Sequence, residues 1–420
     1  MSRAAGLKSR LVVLLLGTAI TATACGGGGS AGGSSSGSTR STATAERSSS
    51  PTGASSSAAE SPSPGAAAGG SCVSRVLAGM TTAQRVGQLF MSAVSSSGPT
   101  ATELDVLRRD HVGSVILMGH TTKGADSVKS VTQRVQSTAP KVAGTQVGML
   151  VSADQEGGQI QVLTGPGFST MPSAVTQGSR PTAQLQQNAT QWGRQLKGAG
   201  VGLNLAPVVD VVPADQTSVN QPIGVLSREY GHTPATVARQ SSAFVRGMGK
   251  AGVLTTLKHF PSLGHVRGNT DFSADVTDDV TTVDGEFIQT YRSGIRAGAQ
   301  FVMIALVSYT KIDPHQLAVF SPKVLRTLLR DKVGFHGVVI SDDMGKAVAV
   351  QSVPAGQRAT GFLSSGGDMV LTVDPSTVHA MTSAVLAKVK SDAAFRKSVD
   401  ASVRRILAAK AAAGLLNCPS

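Results

Sequence analysis

Aromatic side chains are scarce in this chain: its 420 residues include one tryptophan, three tyrosines and eleven phenylalanines. Grooves that hold long polymeric ligands often depend on rows of stacked aromatic rings, so the composition argues against such a groove. It favours instead a small pocket that admits one terminal unit of a ligand. Trp192 lies in a helical stretch, and we expect it to pack in the core.

Cysteine is rarer still, with only Cys25, Cys72 and Cys418 in the sequence. No cysteine–histidine cluster has the spacing of metal ligands, and no glycine-rich loop follows a strand in the pattern that cradles phosphate. We therefore predict neither a metal nor a cofactor. Cys72 and Cys418 lie at the two ends of the predicted folded part, and we expect them to form a disulfide in an exported protein. Two free, buried thiols are the alternative.

Acidic residues are fewer than basic ones, and the formal net charge is +13. After residue 71 there are 33 basic and 23 acidic residues, a surplus of ten. This surplus is spread along the chain without a basic stripe interleaved with aromatics, which excludes a nucleic-acid partner. It favours affinity for an anionic cell wall or membrane surface.

The N-terminus lacks an apolar run long enough to cross a bilayer. Arg3, Lys8 and Arg10 precede an apolar run from Leu11 to Ile20, and small residues then lead to Cys25. This order is typical of an export signal of the lipoprotein kind, with residues 1–25 as signal and lipobox and Cys25 as the lipidated residue. A plain secretory signal or a short anchor is the alternative.

Large apolar side chains are almost absent from residues 26–70, which are mainly Gly, Ser, Ala, Thr and Pro. Such a segment buries too little surface to offset the entropy of ordering, so we predict a disordered tether. The tether and the lipid on Cys25 would anchor the protein to the outer face of the cell membrane without spanning it. The expected location is therefore extracytoplasmic.

Residues 71–420 alternate buried strands with helices. Eight short apolar runs are predicted as strands, at 86–94, 114–118, 147–153, 201–211, 253–257, 301–307, 337–340 and 369–373. The helical stretches between and after them are at 182–198, 234–252, 284–298, 322–333 and 377–413. Eight such alternations predict an α/β fold, a (β/α)8 TIM-type barrel forming a single catalytic domain. An open, doubly wound sheet is the alternative.

Polar residues follow three of these runs directly. Asp154 ends the third run, Lys258 and His259 end the fifth, and Asp342 and Asp343 end the seventh. The carboxyl ends of barrel strands converge on one face, where barrel enzymes keep their chemistry. One aspartate after the seventh run would be explained by helix capping, but two in succession exceed that need. Lys258 and His259 have the alternative of a core pair satisfied by carboxylates.

Five motifs in order, DQEGG at 154–158, LNLAPVVDV at 203–211, SREYGHTP at 227–234, KHFPSLG at 258–264 and GFHGVVISDDM at 334–344, together resemble glycoside hydrolase family 3. The resemblance is strongest to its single-domain β-N-acetylglucosaminidases of the NagZ type, which include a lipoprotein of actinobacteria. It implies retaining hydrolysis through a covalent glycosyl-enzyme, with Asp342 as nucleophile. It also implies that Asp154, Arg228, Lys258 and His259 hold the hydroxyl groups and the N-acetyl sugar.

The loop after Lys258 departs from the family. Where the family carries Asp-Ser-His, with the histidine as acid/base, this chain has Asn269, Thr270 and Asp271. Either Asp271 replaces the histidine, as a carboxylate would in most glycosidases, or His265 in the same loop does. Another acid, Asp275 or Asp278, is a further alternative. Two smaller departures, Val162 and the run 304–306, remove an arginine and a histidine that the family often has.

The function implied by the resemblance is an exo-acting, retaining β-N-acetylglucosaminidase that acts on peptidoglycan-derived fragments. The expected partner is a small carbohydrate, and we expect a monomer. Another exo-β-glycosidase of the same family, and a wall-fragment-binding lipoprotein with weakened catalysis, are the alternatives.

Overall fold

The computed structural model describes residues 64–417 and shows a barrel of eight parallel strands. In chain order the barrel strands are β1 Phe90–Ser95, β2 Ser114–Met118, β3 Leu150–Ala153, β4 Leu203–Asn204, β5 Leu254–Phe260, β6 Phe301–Ile304, β7 Val338–Ser341 and β8 Val370–Thr372. Each strand pairs with its neighbours in the sequence, and β1 also pairs with β8, Phe90 opposite Val370. A parallel bridge between Ile340 and Met369 joins β7 to β8 and closes the ring. The predicted barrel is confirmed, and the open sheet is wrong.

Helices surround the barrel and cover its outer face. They are α1 Pro64–Gly79, α2 Thr82–Gln88, α3 Ala101–Arg109, α4 Gly124–Gln136, α5 Ala174–Gly178, α6 Thr182–Gly198, α7 Pro234–Lys250, α8 Phe287–Arg296, a π-helix Lys323–Val333, α9 Ala355–Ser365, α10 Val378–Ser391 and α11 Ala393–Ala412. Short 3-10 turns lie at Ala214–Gln216, Gly224–Leu226, Ala318–Phe320, Val348–Val350 and Pro375–Thr377. None of the helices in 64–417 combines the length and apolar character that a bilayer crossing requires.

Short strands outside the barrel lie in its connecting loops and at the end of the described chain. They are Lys141–Val142, Thr145–Val147, Gln155–Gly157, Ile160–Gln161, Thr277–Asp278, Ser308–Tyr309, Asp313–Leu317 and Leu416–Asn417. The last of these pairs antiparallel with Thr145–Val147, so the end of the described chain is fixed to the loop that precedes β3.

Two element boundaries differ from those predicted. The first run, 86–94, contains the end of α2, because Thr81 and Gln84 form a capping box that starts a helix and β1 begins only at Phe90. The long helical stretch 377–413 is two helices. Asp392 has extended backbone angles, φ −126° and ψ 104°, and its side chain accepts a hydrogen bond from the amide of Phe395 as the N-cap of α11.

The two ends of the predicted domain can be compared with the predicted tether and the predicted disulfide. Helix α1 begins at Pro64, so residues 64–70 of the predicted tether are helical. The rest of the tether, Cys25 and the signal lie outside the described residues. Cys72 is buried and disulfide-bonded, and its predicted partner, Cys418, also lies outside the described residues.

A continuous apolar core fills the barrel and the layer beneath the helices. Trp192 is 5% exposed and its ring centroid lies 6.4 Å from that of Phe244, so the predicted core role is confirmed. The core also encloses Lys410 of α11. Its ammonium donates to Gln88 Oε1 and to the carbonyl of Gly113, both at 2.7 Å, and burial lowers its pKa to about 7.

Candidate active site

A cavity of about 510 Å³ lies at the carboxyl ends of the barrel strands. It brings together six residues predicted from the sequence: Asp154, Arg228, Lys258, His259, Asp271 and Asp342. Its inner wall is apolar, formed by barrel residues such as Ile116, Leu205 and Met303. The convergence predicted from the strand ends is therefore what the structure shows.

Asp342 and Asp343 follow β7 but have different environments. The carboxylate of Asp343 accepts four backbone N–H groups, from Gly345, Lys346 and Val373 at 2.8 Å and from Ala347 at 3.0 Å. Burial raises its pKa, against the opposing effect of these hydrogen bonds. Asp343 is thus not the helix N-cap that the sequence allowed, because the next helical element, the 3-10 turn Val348–Val350, has Ala347 as its N-cap. It instead holds the turn 345–347 and the start of the segment after β8.

Asp342 is half-buried and lines the cavity. Its Oδ1 accepts the amide of Asp343 at 2.8 Å, and its own amide donates to the carbonyl of Ile304 at 3.1 Å. These two bonds fix the residue between β6 and β7. Within residues 64–417 its Oδ2 has no hydrogen bond, which leaves one carboxylate oxygen for a ligand.

The floor of the cavity carries a buried network of four charges, which we call the charged floor: Asp154, Glu156, Arg228 and Lys258. The Lys258 ammonium lies 2.7 Å from Asp154 Oδ1 and 2.6 Å from Glu156 Oε1. Arg228 binds Glu156 through Nε at 2.8 Å and Nη2 at 2.7 Å, and donates from Nη1 to the carbonyl of Pro222. Two cations and two anions balance, so each can be buried.

The electrostatics of the charged floor favour the ionised forms of Glu156, Arg228 and Lys258. Burial alone would raise the pKa of Glu156, but the charges of Arg228 and Lys258 outweigh it and lower that pKa to about 2. Burial alone would lower the pKa of Lys258, but Asp154 and Glu156 raise it. Three of the five N–H groups of Arg228 are already used, which leaves two for a ligand.

His259 is oriented by a buried carboxylate. Its Nδ1 lies 2.8 Å from Asp210 Oδ2, and Asp210 Oδ1 accepts the amide of Leu263 at 2.8 Å. Asp210 is 1% exposed. The contact fixes the imidazole ring and leaves Nε2 available to the cavity.

Asp271 lies on a loop, 264–276, that passes over the cavity. The amides of Val348 and Ala349 donate to the carbonyls of Asp271 and Thr270, at 3.4 and 3.1 Å, and so attach this acid loop to the turn that follows Asp342. Asp271 as a whole is exposed, but its carboxyl group is partly buried. This burial, and to a smaller extent the negative charge of Asp342, raises the pKa of Asp271 to about 6. It is the predicted acid/base candidate that shares the cavity with Asp342.

The other acid/base candidates lie elsewhere. Asn220 Nδ2 donates to the carbonyls of Leu263 and Val266 and fixes the root of the acid loop. His265, within this turn, lines a separate pocket of about 320 Å³, where its Nδ1 is buried without a hydrogen-bond partner in the described part of the chain. Asp278 caps its own turn through the amides of residues 280 and 281, and Asp275 lines another surface pocket.

Sequence reasoning missed Glu156, Asp210 and Asn220. Glu156 and Asp210 lie inside motifs that it quoted, at the ends of the third and fourth runs, and that position was the available signal. Asn220 lies in a loop without a motif. The two departures, Val162 and the run 304–306, do not line the cavity.

A parallel barrel with paired carboxylates over a polar floor in one cavity has the arrangement of a glycoside hydrolase. Comparison with known proteins agrees. Residues 81–409 match the family model "Glycosyl hydrolase family 3 N terminal domain". A β-hexosaminidase of Stenotrophomonas maltophilia (strain R551-3) is 31% identical over 317 residues, which cover 73% of this chain and 90% of that protein.

Solved structures give the same result. A β-N-acetylhexosaminidase from Beutenbergia cavernae DSM 12333 is 44% identical with a TM-score of 0.77, over 79% of this chain and 99% of that one. M. tuberculosis LpqI is 25% identical with a TM-score of 0.68, over 80% and 95%. The chain belongs to glycoside hydrolase family 3 and is a glycoside hydrolase. The predicted resemblance to NagZ-type enzymes is confirmed.

Proposed function

We propose that this protein is an exo-acting, retaining β-N-acetylglucosaminidase that removes terminal N-acetylglucosamine from peptidoglycan-derived fragments. The observation that carries the proposal is one cavity in which Asp342 has an unbonded carboxylate oxygen and Asp271 has a pKa raised to about 6. This supports one carboxylate as the attacking group and the other as the proton donor.

In the first step of the proposed mechanism, Asp342 Oδ2 attacks the anomeric carbon while Asp271 protonates the departing glycosidic oxygen. The bond to the leaving group breaks as the bond to Asp342 forms. In the second step the ionised Asp271 removes a proton from water, whose oxygen attacks the anomeric carbon and releases Asp342. Two displacements return the sugar with its original β configuration.

The charged floor supports recognition of a single sugar ring. The second oxygen of Asp154, the remaining N–H groups of Arg228 and Nε2 of His259 are donors and acceptors of the kind that hydroxyl and acetamido groups need. Because these groups are fixed by buried partners, they lose little freedom when the sugar binds. The apolar inner wall ends the cavity, which favours a chain terminus over an internal unit.

The sugar identity and the source of the substrate rest on different support. β-Hexosaminidase and β-N-acetylhexosaminidase are the printed names of similar proteins, which favours N-acetylglucosamine in the cavity. The basic surplus after residue 71 and the lipobox at Cys25 favour a place at the outer face of the membrane, next to anionic wall material.

Hydrolysis of nitrophenyl β-glycosides tests the activity. We expect turnover of the N-acetylglucosaminide and little turnover of the glucoside. Preference for the glucoside would indicate another exo-β-glycosidase, and binding without turnover would indicate a wall-fragment-binding protein. Proton NMR of the first product should show the β-anomer. An activated 5-fluoro N-acetylglucosaminyl fluoride should add one sugar mass to the wild-type protein but not to Asp342→Ala.

A further inference from the structure

Phe272 stands out among the apolar side chains of the molecule. It is 80% exposed, whereas the other exposed large apolar residues within 64–417 are valines between 39% and 47%. Exposure of a phenyl ring forgoes the stabilisation that burial would give, so an exposed ring beside a cavity indicates a contact surface. Phe272 lines the same cavity as Asp342.

The position of Phe272 relative to the reacting atoms follows from the acid loop. Phe272 comes directly after Asp271, the group that protonates the glycosidic oxygen under the proposed function. The loop backbone at Thr270 and Asp271 is hydrogen-bonded to Ala349 and Val348. Phe272 and the turn after Asp342 therefore belong to one rim, on the side of the cavity where the leaving group departs.

Lys346 lies on that turn and differs from the other bases of the cavity. The cavity is lined by four basic side chains, of which Lys258 and Arg228 are paired with carboxylates of the charged floor and His259 with Asp210. Lys346 is exposed, and among the described residues no carboxylate lies within ion-pair distance of its ammonium. It is thus a cation at the rim that remains available to a ligand.

We infer that Phe272 and Lys346 bind the leaving-group sugar and favour a hexosamine that carries a carboxylate. The phenyl ring offers a face for the apolar side of the sugar ring, and the ammonium offers an ion pair for its acidic substituent. The inference rests on the proposed function and adds to it the residues that would distinguish an acidic from a neutral leaving group. Val348, 39% exposed on the same turn, extends the apolar part of this rim.

Two disaccharides test the inference on the full chain: N-acetylglucosaminyl-β-1,4-N-acetylmuramic acid, which has an acidic leaving group, and N,N′-diacetylchitobiose, which has a neutral one. The measured quantity is the ratio of their kcat/KM values. We expect Lys346→Gln to lower the acidic-to-neutral ratio by about five-fold, the upper range for an exposed ion pair. The difference should shrink at high salt, because an exposed ion pair is screened.

Lys129→Gln is the matched control, since it removes one exposed positive charge on α4, outside the cavity lining. We expect it to leave the ratio unchanged. Phe272→Ala should lower kcat/KM for both disaccharides by roughly ten-fold, the size of a lost stacking contact, and Phe272→Leu by less. A ratio, unlike an absolute rate, does not depend on the fraction of a variant that is folded.

The outcomes separate the inference from the proposed function. Equal ratios in wild type and Lys346→Gln, with N-acetylglucosaminides still hydrolysed, would overturn the role of Lys346 and leave the proposed function intact. Full activity of Phe272→Ala on both disaccharides would overturn the role of Phe272. Failure of the wild-type protein to hydrolyse any N-acetylglucosaminide would overturn the proposed function and the inference together.

Discussion

The charged floor and the acid loop hold their functional groups in different ways. Asp154, Glu156, Arg228 and Lys258 are held by ion pairs between 2.6 and 2.8 Å long, with Glu156 and Lys258 buried and the other two partly exposed. Asp271, whose carboxyl group is only partly buried, and the exposed Phe272 lie on a loop held mainly by its backbone. The groups proposed to recognise the sugar are thus rigid, whereas the proposed proton donor lies where water and a leaving group can reach it.

The largest effect on activity should come from Asp342, which lines the same cavity as the charged floor and the acid loop. Asp342→Ala should reduce kcat on the order of 10⁴-fold or more, because it removes the proposed nucleophile. Asp343→Ala is the matched control: it should retain far more activity but lose about 2–4 kcal/mol of stability, since four backbone N–H groups lose their acceptor. Steady-state kinetics and urea unfolding measure both. Survival of activity in Asp342→Ala with its loss in Asp343→Ala would reverse the assignment.

Removing the carboxyl group of Asp271 from the acid loop should affect the two proposed chemical steps differently. Asp271→Ala should slow disaccharides by roughly 10²–10⁴-fold, because a poor leaving group needs a proton. Aryl glycosides with good leaving groups should be slowed less in their first step, and azide should accelerate the second by attacking without a base. His265→Ala is the comparison. If it shows this pattern and Asp271→Ala does not, the proton belongs to His265.

Breaking the charged floor should cost stability. Glu156→Gln leaves Lys258 and Arg228 buried with one carboxylate between them, and we expect the free energy of unfolding to fall by about 3–5 kcal/mol. Asp400→Asn, which removes the partly exposed 3.0 Å pair with Arg85, should cost less than about 1 kcal/mol. Urea denaturation compares the two variants. Equal losses would show that burial does not distinguish these pairs.

The pH dependence of activity sharpens the contrast further. Under the proposed mechanism Asp271 must be protonated for the first step, so kcat/KM for a disaccharide should fall above about pH 6, approaching ten-fold per pH unit. For an activated aryl glycoside, the fall of kcat/KM above about pH 6 should be shallow. If Asp271→Ala shows the same fall of kcat/KM above about pH 6, the titrating group is another residue.

Lys258 and Lys410 are both buried, but only Lys258 has carboxylate partners. The pKa of Lys410 is lowered by burial from 10.5 to about 7, so between these values the unfolded chain binds more protons than the folded one. Stability should therefore rise with pH from about 7 to 10.5, by up to about 1.4 kcal/mol per unit. Lys410→Met should flatten this rise in urea unfolding measured across pH. A rise that is the same in both proteins would contradict the assignment.

The sequence was sufficient to predict the barrel and the meeting of Asp154, Lys258 and Asp342, because strand ends in a parallel barrel converge whatever the loops do. It was not sufficient for the pairings. Glu156 meets Arg228 across 72 residues and Asp210 meets His259 across 49, contacts that only the closed barrel creates. Nor could spacing separate Asp271 from His265, because the Asn220 contacts decide which part of the loop faces the cavity.

The two hydrogen bonds from Val348 and Ala349 to the acid loop have a kinetic consequence. As long as they persist, the loop that carries Asp271 stays attached to the turn that follows Asp342, so Asp271 and Asp342 move together. Lifting of the acid loop would release both amides. The hydrogen-exchange rates of these two amides therefore report how often the loop opens, and a bound sugar that closes the site would slow exchange at both amides together.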